Sequence, residues 1–181
     1  LFGIPEVLEN IEHSVQRELT KGKIKGLLPT VRDWKDSTGP IVRGSVLGFF
    51  LGILPGIGVI IPTFISYAME KRLSKTPEKF GTGMIAGVAG PEAANNAAVG
   101  GSMVPLMALG IPPTATMALF MGALMIHGIQ VGPFFIKEHG ALFWGVIASM
   151  YVGNVMLLVL NLPLISIWVR LLRVPYWVLA P

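Results

Sequence analysis

Residues 44–68 read GSVLGFFLGILPGIGVIIPTFISYA and contain no charged side chain. A run of about 20 apolar residues is long enough to cross a bilayer core roughly 30 Å thick. Because proline lacks a backbone donor and glycine tolerates positive φ, the Pro55–Gly58 stretch predicts an interruption inside this run. Interrupted helices at membrane depth persist only where they are buried in protein or line a wet cavity. This stretch therefore predicts a membrane protein with broken helices.

Two further stretches are almost free of charge. Residues 81–132 carry only Glu92, and residues 140–169 carry no charged side chain. Over all 181 residues the chain is 52% hydrophobic and 13% charged, with a mean hydropathy of +0.67, whereas soluble domains average about 25% charged residues. Three such stretches cannot all be buried inside one soluble domain of this size. The sequence predicts an all-α, polytopic membrane protein with broken or re-entrant transmembrane helices.

Basic residues flank the first apolar run on both sides. Arg43 precedes it, and the loop after it contains Lys71, Arg72, Lys75 and Lys79. Because basic loops prefer the cytoplasm, both flanks are expected on the same side of the membrane. The run then predicts a re-entrant hairpin with its tip at Pro55–Gly58, and a single kinked crossing is the alternative.

The first 40 residues differ from the rest in their charge. Pro5-Glu6 is typical of a helix start, and an apolar residue every fourth position from Val7 to Leu19 predicts an amphipathic helix. A basic cytoplasmic linker is predicted over residues 22–40, and a transmembrane transport region over residues 41–181. The chain begins at Leu1 without the features of a signal peptide, so we interpret it as a fragment of a longer permease.

Proline and glycine divide the transmembrane region into helices. Thr76-Pro77-Glu78 and Gly90-Pro91-Glu92 each place a proline at the first helical position, followed by an acid. These motifs predict a short helix over residues 77–89 and a second over residues 91–109. Further helices are predicted over residues 114–129, 141–160 and 163–172.

Asn95 and Asn96 form the most informative polar cluster, because they lie in an otherwise apolar helix. Amides in such a place are costly unless they are hydrogen-bonded. Neighbouring residues point about 100° apart on a helix, so one amide is expected to secure backbone while the other faces substrate or ion. Hydrogen bonding between helices would explain both without a ligand. Glu92 is a possible coupling acid, although the helix dipole alone would also stabilise an acid there.

Residues 110–116, GIPPTAT, predict a second helix break followed by a fresh helix. The free N–H groups of a helix N-terminus attract anions, and hydroxyl groups lie close by. Two interrupted apolar segments are typical of a transporter built from inverted or internal repeats, with its binding site near the bilayer midplane. The predicted substrate or ion ligands are Asn95, Asn96, Ser102, Thr114, Thr116, Gly56 and Gly58, and the predicted helix breaks are Pro55, Pro91, Pro112 and Pro113.

A ridge of glycines leads to the first break. Gly44, Gly48, Gly52 and Gly56 recur every four residues and share one helix face. Small residues at this spacing let helix backbones approach closely. Packing alone would explain the ridge. A mobile element that slides on its neighbour is the functional alternative, because the ridge ends at Pro55.

Other classes of function find no support in the sequence. Cysteine is absent, and three histidines far apart make no metal-ligand pattern, so transient sodium is the only metal ion expected. His127 lies near a span end, where an interfacial role and a role in substrate or proton handling are both open. No hydrolase, zincin or phosphate-loop motif occurs, which predicts that the chain is not an enzyme. The net charge of +4 arises beside membrane spans, where lipid headgroups rather than nucleic acid explain it.

Several motifs, in their order, resemble the large permease subunit of the tripartite tricarboxylate transporters. The resemblance covers residues 40–181 well and fits the start of the second half of that permease. Ala86 stands where the family usually has an acid, and Pro113-Thr114 stands where it usually has Gly-Ser. The motifs that carry the resemblance are Arg43-Gly44, Leu54–Gly58, Tyr67–Arg72, Pro77–Gly81, Pro91–Ala97 and Leu109–Pro112.

The resemblance implies a multi-pass carrier of the bacterial inner membrane that takes up citrate-like carboxylates. Uptake would be coupled to Na⁺ or H⁺ and need no other cofactor. Two partners are implied, a small membrane subunit and a periplasmic solute-binding protein. A non-transporting scaffold, in which the glycine ridge and the asparagine pair serve only assembly, is one alternative, and a channel is another.

Overall fold

The computed structural model describes residues 28–171, and all regular structure in this range is helical. The all-α prediction is confirmed for these residues, and the predicted amphipathic helix near the N-terminus lies outside them. Residues 28–152 form one compact unit, and residues from 153 onward belong to a second. The helices are α1 (Val31–Ile53), α2 (Ile60–Leu73), α3 (Ala86–Leu109), α4 (Ala115–Ile126), α5 (Phe135–Glu138) and α6 (Gly140–Leu171), with a 3-10 turn at Pro77–Lys79.

Helices α1 and α2 form an antiparallel hairpin whose tip, residues 54–59, contains the first predicted break. Arg43 near the middle of α1 binds Glu70 near the end of α2, so the two flanks of the apolar run lie at the same end of the hairpin. A single kinked helix would separate them. Helix α3 packs along the hairpin and runs parallel to α1, because Gly44 meets Gly90 and Gly52 meets Ala98.

The glycine ridge of α1 packs directly on the backbone of α3. A β-carbon added at Gly44, Gly48 or Gly52 would overlap a carbonyl oxygen of α3, that of Gly90, Ala94 or Ala98 respectively. Only hydrogen fits at these contacts, which confirms the packing interpretation of the ridge. Gly56 does not belong to the ridge, because it lies in the tip with nothing within 4 Å of an added β-carbon.

Helix α1 begins earlier than the sequence analysis predicted. The Thr30 side chain accepts a hydrogen bond from the Asp33 amide at 3.2 Å, and the Asp33 carboxylate accepts one from the Thr30 amide at 2.8 Å. This reciprocal capping box starts the helix, and hydrogen bonds from Thr30 lower the pKa of Asp33, so the cap persists to lower pH than an ordinary aspartate would allow. The prediction of a linker up to Pro40 is therefore wrong for residues 31–40.

Helix α3 also departs from the prediction, because it is continuous through Pro91. The predicted helix break at Pro91 is wrong. Proline removes one backbone hydrogen bond, but the small neighbour Gly90 lies between α1 and the Ser66 and Glu70 side chains of α2. Packing on both sides therefore holds the helix straight enough to continue.

Three other predicted helices differ in the structure. The short helix over residues 77–89 is reduced to a 3-10 turn, because Gly81 and Gly83 adopt φ of 90° and 97°, which no helix accommodates. Pro163 lies inside α6 instead of starting a new helix. Helix α4 ends at Ile126, three residues early, because Gly128 turns the chain with φ of 73°.

Helix α6 is the one described helix that is long and apolar enough to cross a membrane. The candidate span runs from Gly140 to Ile165, and none of its most apolar window is buried. The shorter helix α4 is also apolar. Exposed apolar side chains continue around α1 and α2, including Phe50, Ile60 and Phe64.

Candidate functional site

The two predicted helix breaks meet in the structure. The backbone amide of Gly56, in the hairpin tip, donates a hydrogen bond to the carbonyl oxygen of Pro113 at 3.1 Å. Gly56 and Gly58 have φ of 84° and 66°, the left-handed region that favours glycine. Pro55 is exposed in the tip, whereas Pro113 is buried and Pro112 is half-buried. Segments more than 50 residues apart in sequence therefore form one junction, which we call the break junction (residues 54–59 and 110–116).

Two helices start at the break junction. Helix α2 follows the tip with no side chain bonded to its first amides, so the N–H groups of Ile60 and Ile61 have no partner within the helix. Helix α4 follows the second break, where the Thr114 hydroxyl accepts from the Met117 amide at 3.2 Å. The N-terminal ends of α2 and α4 therefore place partial positive charge at the junction, beside the partial negative charge of the C-terminal ends of α1 and α3. No lysine or arginine occurs between Lys79 and Lys137.

The remaining hydroxyls predicted as ligands are placed differently from one another. Thr116 is exposed in the first turn of α4 and can face a ligand at the junction. Ser102 is only 3% exposed and donates to the carbonyl oxygen of Val99 at 2.7 Å. Ser102 therefore packs in the core, and Thr114 is committed to the cap of α4.

The two asparagines point to different sides of α3, as helix geometry predicts. Asn95 is half-buried and its amide nitrogen donates to the Thr63 hydroxyl at 3.4 Å, while Thr63 donates to the Val59 carbonyl oxygen at 2.8 Å. This relay connects the middle of α3 to the hairpin tip. Asn96 is exposed and its nitrogen donates to the backbone carbonyl oxygen of Glu92 at 3.0 Å.

One face of α3, which we call its outer face, is not covered by α1 or α2 and carries two polar side chains. Glu92, Asn96 and Gly100 follow one another at spacings of four, so they share a face. Glu92 and Asn96 are exposed, and a β-carbon added at Gly100 would meet nothing within 4 Å. Neither α1 nor α2 covers this face, because α1 contacts the opposite side at Gly90, Ala94 and Ala98 and α2 contacts Gly90.

An ion pair between α1 and α2 was missed by the sequence analysis. Arg43 binds both carboxylate oxygens of Glu70, with Nε–Oε1 at 2.8 Å and Nη2–Oε2 at 2.6 Å. The Glu70 side chain is 2% exposed, whereas that of Arg43 is 43% exposed. Ser66, one turn before Glu70, is fully buried, and its hydroxyl has no hydrogen-bond partner among the residues that the structure describes. An arginine before the first apolar run and an acid after it were the available signal.

The described residues offer no preformed metal centre. No group of three His, Cys, Asp or Glu side chains lies close enough to hold an ion within residues 28–171. His127 is exposed at the end of α4. A transient cation at the junction would have to use neutral oxygens, and Oδ1 of Asn95 makes no hydrogen bond within the described part of the chain.

The left-handed backbone of the tip gives a direct test of the break junction. Gly56→Val is expected to disrupt the Gly56–Pro113 contact and to destabilise the protein by about 1–3 kcal/mol, because branched side chains do not tolerate positive φ. Gly56→Asn should keep most of the stability, since asparagine tolerates this region. Thermal unfolding in detergent measures the difference. Equal stability of both variants would contradict the left-handed conformation of the tip.

Comparisons with known proteins identify one matching family and two similar proteins. The family model of the tripartite tricarboxylate transporter TctA family matches residues 1–181. An uncharacterised 52.8 kDa protein of the TAR-I ttuC′ 3′ region of Agrobacterium vitis is 49% identical over the whole chain, which covers 36% of that protein. An uncharacterised protein of the TAR-II ttuC′ 3′ region of the same organism is 54% identical over 74% of the chain and 55% of its own length. No solved structure matches.

Proposed function

Because the chain belongs to the tripartite tricarboxylate transporter TctA family, we propose that it forms part of a permease for small carboxylate anions and that the break junction lines the substrate path. The family is one of membrane transporters rather than enzymes. The chain spans about a third and about half of the two relatives that it matches. The activity proposed here is therefore that of the complete polypeptide.

The observation that carries this proposal is the hydrogen bond between Gly56 and Pro113. It brings together two interrupted helices and two helix N-termini. Helix N-termini bind carboxylates through free N–H groups and the dipole. Discontinuous helices that point their N-termini at an anion are a recurring device of secondary transporters. The break junction contains no lysine or arginine, and a site without them suits a carrier that must also release its anion.

The dimensions of the hairpin support a junction deep in the membrane. From Arg43 to Leu54 the helix rises about 16 Å, at 1.5 Å per residue. Half of a bilayer core is about 15 Å. If the ion pair of Arg43 and Glu70 lies at the headgroup boundary, the tip lies near the midplane. Such a hairpin re-enters from one side, and it would act within a multi-pass protein of the bacterial inner membrane.

The proposal also includes a coupling ion and two partner subunits. Oδ1 of Asn95 and the backbone carbonyls of the tip are oxygens of the kind that hold Na⁺, and Glu92 on the outer face of α3 is a carboxylate that could carry H⁺. Substrate would arrive from a periplasmic solute-binding protein, and a small membrane subunit would complete the assembly. The name of the family, tripartite, supports three components.

Asparagine substitutions test the proposal. We expect Asn96→Ala to reduce citrate uptake by at least tenfold without loss of the assembled complex, because its amide is exposed on the uncovered face of α3. The measurement is uptake of labelled citrate by the complete permease with its two partner subunits. Asn154→Ala, which removes an exposed amide from α6, is the matched control.

The outcomes separate a carrier from a scaffold. Saturable uptake that is lost in Asn96→Ala supports the proposed path. Loss of the assembled complex with unchanged uptake per complex would support the scaffold instead. If wild type moves neither citrate nor any other di- or tricarboxylate, the proposed function is wrong.

A further inference from the structure

An open groove lies between α1 and α2, away from the glycine ridge that faces α3. Its volume is about 570 Å³, within the range of about 300–1,000 Å³ that is usual for small-molecule sites. Apart from Arg43 its lining is apolar. The residues that line it include Val42, Val46 and Phe50 from α1 and Ile65 and Met69 from α2, with Arg43 at one end.

The length of the groove fits one leaflet of a bilayer. Its lining on α1 runs from Val42 to Leu51, which is about 14 Å at 1.5 Å per residue. Half of a bilayer core measures about 15 Å. An extended acyl chain that starts at Arg43 would therefore reach the level of the hairpin tip. Val42, Val46 and Phe50 are 56%, 54% and 64% exposed, so the groove is open along its length.

Positive charge gathers at one end of the groove. Arg43 uses Nε and Nη2 to bind Glu70, which leaves Nη1 free to meet another acceptor. Arg72 follows Met69 and Ile65 on the same face of α2, at spacings of three and four. Lys35 lies two turns before Val42 on α1. Neither Arg72 nor Lys35 forms an ion pair within residues 28–171, so this end carries two uncompensated positive charges.

We propose that the groove binds an anionic phospholipid, with one acyl chain between α1 and α2 and its phosphate at Arg43, Arg72 and Lys35. Basic pockets beside helices on the cytoplasmic side bind anionic headgroups, and arginine is well suited to phosphate. The proposal rests on the membrane placement proposed for the hairpin.

The test uses the complete permease, purified and loaded with phosphatidylglycerol or phosphatidylcholine, and native mass spectrometry counts the retained lipids. Wild type is expected to retain phosphatidylglycerol at least tenfold better than phosphatidylcholine. The double variant Lys35→Gln/Arg72→Gln should lose most of this preference, and Val46→Trp, which fills the groove, should lose retention of both lipids at this site. Arg43 is left intact, because its loss would leave the buried Glu70 carboxylate without a partner.

Matched controls make the test decisive. Lys75→Gln/Lys79→Gln removes the same charge from the following loop, and Leu119→Trp introduces the same side chain at a position that is 77% exposed on α4. Both should retain phosphatidylglycerol like wild type. Equal retention of the two lipids by wild type, or equal losses in the test and control variants, would overturn the proposal. Citrate uptake is measured in parallel, so a lost lipid site with intact uptake leaves the proposed function standing.

Discussion

Gly48→Ala is expected to separate α1 from α3 and to remove most of the folded permease. The added β-carbon would overlap the carbonyl oxygen of Ala94, and a backbone atom cannot rotate out of the way as a side chain can. Overpacking a core costs about 1–3 kcal/mol where side chains can adjust, so a larger loss is expected here. The yield of monodisperse protein after detergent extraction and its melting temperature measure the effect.

Two adjacent glycines of α3 supply an internal control for this prediction. A β-carbon at Gly101 would overlap the carbonyl oxygen of Phe49, whereas one at Gly100 would meet nothing within 4 Å. Both substitutions raise helix propensity by about 1 kcal/mol. Gly101→Ala should therefore destabilise the protein and Gly100→Ala should not. If the two variants are equally stable, the close backbone contact between α1 and α3 is wrong.

Removing Arg43 should cost much more stability than removing Glu70. In Arg43→Gln the Glu70 carboxylate, 2% exposed, would be left buried without a partner, which costs about 3–5 kcal/mol. In Glu70→Gln the arginine keeps access to water or headgroups, because its side chain is 43% exposed. Its loss is therefore expected to be about half as large or less. Thermal unfolding in detergent, followed by size-exclusion chromatography, ranks the variants.

The double variant Arg43→Gln/Glu70→Gln provides the cross-check. It replaces a charged pair by two neutral amides, so no charge is left buried, and coupling between contacting residues makes the effects non-additive. The double variant should be more stable than Arg43→Gln alone. A double variant that is less stable than either single one would show that the two side chains do not act as a pair.

Much of the fold could be predicted from local chemistry, while the pairing of helices could not. Apolar runs and the Pro55–Gly58 interruption predicted the tip, and helix geometry predicted that Asn95 and Asn96 point apart. The partner of the glycine ridge was missed, although Gly90, Ala94, Ala98 and Ser102 repeat at the same spacing of four. Small residues at a spacing of four show that one helix face is smooth, but they do not show which other helix packs against that face.

The errors at Pro91 and in the candidate site have a common physical cause, because packing overrides the local signal there. Pro91 has the sequence of a helix start, yet α3 continues through it because α1 and α2 pack on both sides of Gly90. The candidate site shows the same limit. Its residues were selected as single polar positions, and only tertiary structure shows that Ser102 lies in the core and that Gly56 meets Pro113. The family resemblance, in contrast, rested on ordered motifs and is confirmed.

The measurement that tests the break junction most directly is protection of single cysteines by substrate. Residues 1–181 contain no cysteine. In a complete permease whose remaining cysteines are replaced by serine, Thr116→Cys is compared with Thr82→Cys, an exposed position in the loop before α3. We predict that citrate slows the labelling of Thr116→Cys several-fold in the complete permease, with half of the effect at the KM for uptake, and leaves Thr82→Cys unchanged. Citrate uptake that persists while labelling of Thr116→Cys stays equally fast with and without citrate would contradict a substrate path at the break junction.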